Sequence, residues 1–101
     1  MMATSRIERS GVLRRKEVDD LNNAIGEYYN LFSAYAYNKT ATNNPNTGGG
    51  GVVYVLSYSP EYFCQIAVSN YGSSDPKLYC RKYHANNGWS SWYEINKTAL
   101  P

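Results

Sequence analysis

Two tryptophans three residues apart, Trp89 and Trp92, stand close in the sequence to Arg81, Tyr83, Asn87 and Tyr93. Indole and phenol rings stack on sugar rings, a guanidinium pairs with an acidic sugar or a carboxylate, and an amide meets hydroxyl groups. These six are the candidate ligand-binding residues, and a cell-surface glycan is the ligand they suit. The same residue types also serve structure. Large aromatics pack in cores and between subunits, and a mid-strand arginine covers an aromatic face or pairs with an acid such as Glu94. Residues three apart on a strand point to opposite faces, which puts one tryptophan in the core and leaves the other exposed or at an interface. Tyr83 and Tyr93 would flank the intervening turn as a cross-strand pair.

Nothing else in the chain assembles into catalytic chemistry. His84 is the single histidine, and the spacing of Cys64, Cys80, Glu61 and Glu94 gives it no partners for a triad. Glu61 and Glu94 are too scattered to be read as a glycosidase pair. The two cysteines lack metal-ligand spacing and are read as free thiols, so neither a metal nor a cofactor is expected, and the chain is read as non-enzymatic. Residues 48–51 are all glycine, but no Lys-Ser/Thr and no helical pattern follow them, so they do not form a phosphate cradle. Arg14, Arg15 and Lys16 run directly into Glu17, Asp19 and Asp20. That mixed face argues against a nucleic-acid partner. Asn38-Lys39-Thr40 and Asn96-Lys97-Thr98 match the glycosylation sequon by chance, since no secretory signal precedes them.

The elements that must position these residues read as mainly β. Val18, Leu21 and Ile25 recur at i, i+3 and i+7 and predict one short N-terminal helix over residues 14–25, stopped by Gly26. From Glu27 the period becomes strand-like, with Tyr29, Leu31, Ser33, Tyr35 and Tyr37 on one face. Residues 38–51, rich in Asn, Thr, Pro and Gly, read as a loop. The uninterrupted apolar run at residues 52–56 predicts a strand over 52–58 buried on both faces. Strands follow at 61–69, with Tyr62, Cys64, Ile66 and Val68 on one face, and at 78–84. Asn86, Asn87 and Gly88 form a hairpin turn into a last strand at 89–95. Short connections exclude parallel crossovers among these strands, so a small antiparallel sheet or sandwich of about five strands is expected.

The chain has 101 residues and a net charge of +2. That length fits one domain with a modest core. Nine of its 18 charged side chains fall in the first 20 residues, whereas all 11 tyrosines come after residue 27. A charged head, residues 1–17, therefore precedes a Tyr-rich body, residues 18–96, and a tail, residues 97–101. Ile7, Val12 and Leu13 of the head, with Val18, Leu21 and Ile25, are the candidate attachment or oligomerisation residues. No apolar run approaches the ~20 residues of a membrane helix, and no secretory signal is visible, so synthesis in a cytoplasm without membrane insertion is expected.

The closing segment carries a resemblance. Leu78-Tyr79-Cys80-Arg81, a turn, then Gly88-Trp89-Ser90-Ser91-Trp92-Tyr93-Glu94-Ile95 looks like the end of the pyocin-knob type of domain, found in tail fibres of phages and of phage-derived bacteriocins. Asp20-Leu21-Asn22, Gly26-Glu27-Tyr28-Tyr29, Asn44-Pro45, the apolar strand at 52–56 and Gln65 resemble earlier parts of that pattern in the same order, so the likeness spans residues 18–96. It implies a homotrimeric virion fibre or spike subunit that meets other virion proteins through residues 1–25. Its outer loops at 38–51, 70–76 and 85–88 would face a host glycan. A capsid decoration or head-fibre protein without a receptor, and a free carbohydrate-binding module, are the alternatives.

Overall fold

The computed structural model describes residues 16–45, 48–69 and 77–96. They form one curled sheet, from strands β1 (Glu17–Asp20), β2 (Phe32–Thr42), β3 (Gly51–Ser59), β4 (Tyr62–Ser69), β5 (Lys77–His84), β6 (Gly88–Trp89) and β7 (Tyr93–Glu94). The order is β1-β2-β3-β4-β5-β6, with β7 also pairing β5. From β2 onward every pairing is antiparallel, as short turns require. β1 alone runs parallel to its neighbour, β2.

The N-terminal helix expected over 14–25 is absent among the described residues. Residues 17–20 are β1, and only Leu21–Asn23 coil, as a 3₁₀ turn. Three causes combine. Asp19, Asp20, Asn22 and Asn23 are poor helix formers. A two-turn helix is marginal without strong propensity. The Asp20 carboxylate accepts from the Asn22 N–H at 2.9 Å, which caps a short turn instead. Because β1 and β2 are parallel, the chain between them must cross over, and residues 21–31 do so along the concave side of the sheet. This crossover takes the place of a helical second layer.

Two hydrogen-bonded clamps hold the crossover. The Gln65 Nε2 in β4 donates to the carbonyls of Leu21 and Ala24, both at 2.7 Å. The buried Ser57 hydroxyl in β3 accepts from the Glu27 N–H at 2.7 Å and donates to its carbonyl at 2.8 Å. Gly26 is required there by close approach: a Cβ would sit 2.5 Å from the Ser59 carbonyl oxygen and 2.6 Å from the Ser57 hydroxyl. The core lies between crossover and sheet, built on Leu21, Ala24, Tyr37, Ala41, Val53, Val55, Phe63 and Ala67.

The strand bounds expected over 52–58, 61–69 and 78–84 match β3, β4 and β5 closely. The strand expected from Glu27 begins only at Phe32, and it extends through Thr42 into residues read as loop. β1 rejoins β2 at the far end of these polar residues, Asp20 opposite Thr42 after a register shift. The run at 52–56 is not buried on both faces within this chain. Val53 and Val55 are fully covered, whereas Leu56 is 45% exposed.

Candidate functional site

β6 and β7 are one strand interrupted by a bulge. Tyr83 pairs with Trp89 and Cys80 with Tyr93, so three steps along β5 face four along the other strand. The extra residue turns Trp92 to the side on which Trp89 already lies. The two tryptophans therefore do not point to opposite faces. The Arg81 guanidinium carbon lies 3.7 Å from the Trp89 ring centroid and 4.5 Å from that of Trp92.

Arg81 is only 7% exposed. Its Nε donates to Gln65 Oε1 at 2.8 Å, and its NH2 group donates to Asn22 Oδ1 at 2.9 Å. Its partners are thus two amides, not the expected Glu94, which pairs with Lys77 at 3.8 Å. Burial lowers the Arg81 pKa to about 10, with the Asp20 carboxylate opposing, so the group stays charged at neutral pH. The Trp92 indole N–H donates to the Asn43 carbonyl at 2.9 Å and ties the last strand to the end of β2. Asn43 holds φ 61°, a left-handed conformation that asparagine tolerates.

Tyr83 lies in the same cluster, stacked on Phe63 at 5.2 Å and edge-on to Trp89 at 5.1 Å. It does not pair with Tyr93. That residue sits on the opposite, convex face, 64% exposed, across from Cys80. Asn87 is exposed in the 85–87 turn, where its N–H bonds the His84 carbonyl. Of the six candidate ligand residues, the structure joins Arg81, Tyr83, Trp89 and Trp92 into an internal cluster and leaves Asn87 and Tyr93 outside it.

Of the candidate attachment residues, Leu21 is fully buried in the chain's own core and Val18 packs against that core. Neither offers the surface an attachment stripe needs. Ile25 is 46% exposed. Ile7, Val12 and Leu13 lie outside the described residues, as does the expected loop at 70–76. Cys64 and Cys80 are both free thiols.

Gln65 is the hub that sequence reasoning did not place. It is fully buried, and its one amide bonds three groups on two elements. The signal was present: with Tyr62, Cys64, Ile66 and Val68 on one face, Gln65 falls on the other between Phe63 and Ala67. A core amide requires partners.

The other candidate surface is the convex face. The register lines up Phe32, Leu56, Cys64 and Lys82 across β2 to β5, with Tyr62 opposite His84. Phe32 stacks on Tyr54 at 5.5 Å, and Tyr62 bridges Tyr58 at 6.4 Å and His84 at 4.7 Å. A groove of about 280 Å³ opens among Leu56, Tyr58, Tyr62, Cys64, Lys82 and His84. Beside it, the end of the crossover projects outward: Tyr28 is 63%, Tyr29 97% and Leu31 76% exposed. The Tyr28 hydroxyl touches Glu61 at 3.3 Å, and the Leu31 carbonyl accepts from the Ser57 N–H, so this projection borders the β3–β4 end of the sheet.

Aromatic side chains carry about 150–250 Å² each. At these exposures Phe32, Leu56, Tyr58 and Tyr62 present on the order of 400–500 Å² on the convex face, and Tyr28, Tyr29 and Leu31 present a similar area on the projection. The largest patch on a typical monomer is about 300–600 Å², and one side of a standard protein interface is about 800 Å². Among the described residues no cluster of His, Cys, Asp and Glu is arranged to hold a metal ion. No family model, curated protein or solved structure matches this chain.

Proposed function

We propose that this chain is a self-associating structural subunit of a phage virion fibre or spike, working as a homotrimer. The observation that carries the reading is the convex aromatic face with its adjoining projection, an area of the size that one side of a stable interface needs. A sheet covered on its concave side by its own crossover, and bare and apolar on the other, gains by burying the bare side against further copies. The fibre context comes from the resemblance in the closing segment. In this reading the paired tryptophans hold the fold together through Arg81. Contact with a host glycan falls to the exposed 85–87 turn and its neighbours.

Sedimentation or light scattering on the purified chain tests the reading. A defined oligomer is expected at micromolar concentration, and Leu56→Glu combined with Tyr58→Glu is expected to yield a folded monomer with an unchanged far-UV spectrum. A wild-type chain that stays monomeric at those concentrations defeats the proposal.

A further inference from the structure

Resting on the self-association reading, we infer how the copies meet: the projection at residues 27–31 of one copy inserts into the Leu56–Tyr62–His84 groove of the next. The projection is shaped as a knob. Tyr29 and Leu31 are the most exposed apolar side chains beside the groove, apart from Tyr58 on its rim. The segment is also held from several sides. Ser57 grips Glu27, the Tyr28 hydroxyl meets Glu61, the Asn30 amide meets the Glu27 carboxylate, and β3 bonds the Leu31 carbonyl. A knob already fixed loses little conformational freedom on docking.

The groove is its counterpart. A volume of about 280 Å³ accommodates one large side chain, and the walls are aromatic and aliphatic. Charge favours the same match. The knob carries Glu27 and sits beside Glu61, whereas the cationic Lys82 lines the groove. Lys82 makes no ion pair among the described residues. Acidic knob against basic groove suits a second copy of this chain better than a featureless apolar partner.

In the proposed homotrimer each knob meets the groove of the next copy, so the contact is heterologous. Such contacts run head to tail and close into a ring when the rotation permits, which three copies satisfy in the proposed homotrimer.

Sedimentation equilibrium on the full chain tests the arrangement. Tyr29→Ser with Leu31→Ser is expected to weaken assembly by roughly 30–100-fold, the loss of an anchoring residue, with an unchanged far-UV spectrum because both side chains are exposed. Lys82→Glu is expected to weaken assembly and Lys82→Glu with Glu27→Lys to restore part of it. Mixing then separates this arrangement from a contact in which like patches meet each other. A knob-defective copy (Tyr29→Ser, Leu31→Ser) and a groove-defective copy (Leu56→Glu) retain one intact knob and groove between them, so a 1:1 pair is expected. If the wild type assembles but the knob variant assembles equally well, or if no mixed pair forms, the knob-and-groove contact is wrong while self-association stands. A monomeric wild type defeats both.

Discussion

Replacing Arg81 probes the centre of the fold. Its two hydrogen bonds reach Gln65 and Asn22, and a charged donor to a neutral acceptor contributes about 1.5–3 kcal/mol. The two indole contacts add about 0.5–2 kcal/mol each. Against these stands the cost of burying the charge. The fall in pKa from 12.5 to about 10 corresponds to roughly 3 kcal/mol. At their lower values the four contacts exceed that cost by about 1 kcal/mol and at higher values by several, so the residue is net stabilising. Truncation to alanine costs more than that, because it orphans the buried Gln65 oxygen and leaves a gap beside two indoles. We expect about 4 kcal/mol for Arg81→Ala, a large share of the ~5–15 kcal/mol typical of small domains. Arg81→Lys keeps the charge but loses the planar fork, so it should cost about half as much. Urea unfolding followed by tryptophan fluorescence, at one fixed protein concentration, reads both. A slope near 1–1.5 kcal/mol/M turns the alanine loss into a midpoint drop of about 3 M. An alanine variant within about 1 kcal/mol of wild type, or a lysine variant indistinguishable from it, would refute the assignment of Arg81 as the central tie.

Two titration predictions accompany it. The Tyr37 hydroxyl is buried without a hydrogen-bond partner among the described residues, and burial, with Tyr79 adding, pushes its pKa up to about 12. Its folded pKa lies above the ordinary 10.0, so its contribution is complete below pH 10 and is lost as pH rises through about 12. Tyr37→Phe removes the orphaned hydroxyl and should raise stability at pH 7 by about 1 kcal/mol while flattening the alkaline limb of a melting-temperature profile. Asp20 behaves oppositely. Hydrogen bonds from the Asn43 side chain and then the Asn22 N–H hold its pKa below 3.8. Its contribution is present above pH 3.8 and disappears as pH falls through the lower folded value. Asp20→Asn keeps a competent cap, so acid melting curves should lose part of their slope with little change at pH 7.

The sheet was legible where local chemistry decides the structure. Alternation in β4, the apolar run of β3 and the Asn86-Asn87-Gly88 turn before β6 placed these elements within a residue or two. Distant contacts hid the remainder. Val18, Leu21 and Ile25 mimic a helical stripe, yet Val18 pairs with Tyr37 and Leu21 fills the core beneath β4. Residues 38–42 carry loop chemistry and still form strand, with β1 pairing their end at Thr42. The candidate site misled for a related reason. A bulge of one residue reverses the strand alternation that separated Trp89 from Trp92, and no residue type in Ser90-Ser91 announces it. Arg81 stood out in the sequence, but its true partners, Asn22 and Gln65, lie 59 and 16 residues away.

Those separations shape the order in which the molecule comes apart. β2 to β5 form a meander whose neighbours are adjacent in the chain, so it can zip turn by turn. The Arg81–Asn22 bond and the Trp92–Asn43 bond span 59 and 49 residues and are expected to close after the meander has curled. They act as a latch fastened last. Weakening a late-formed contact leaves the folding rate nearly unchanged and speeds unfolding. The lifetime of the folded chain, more than its speed of formation, therefore rests on how long one guanidinium stays between a turn and two indoles.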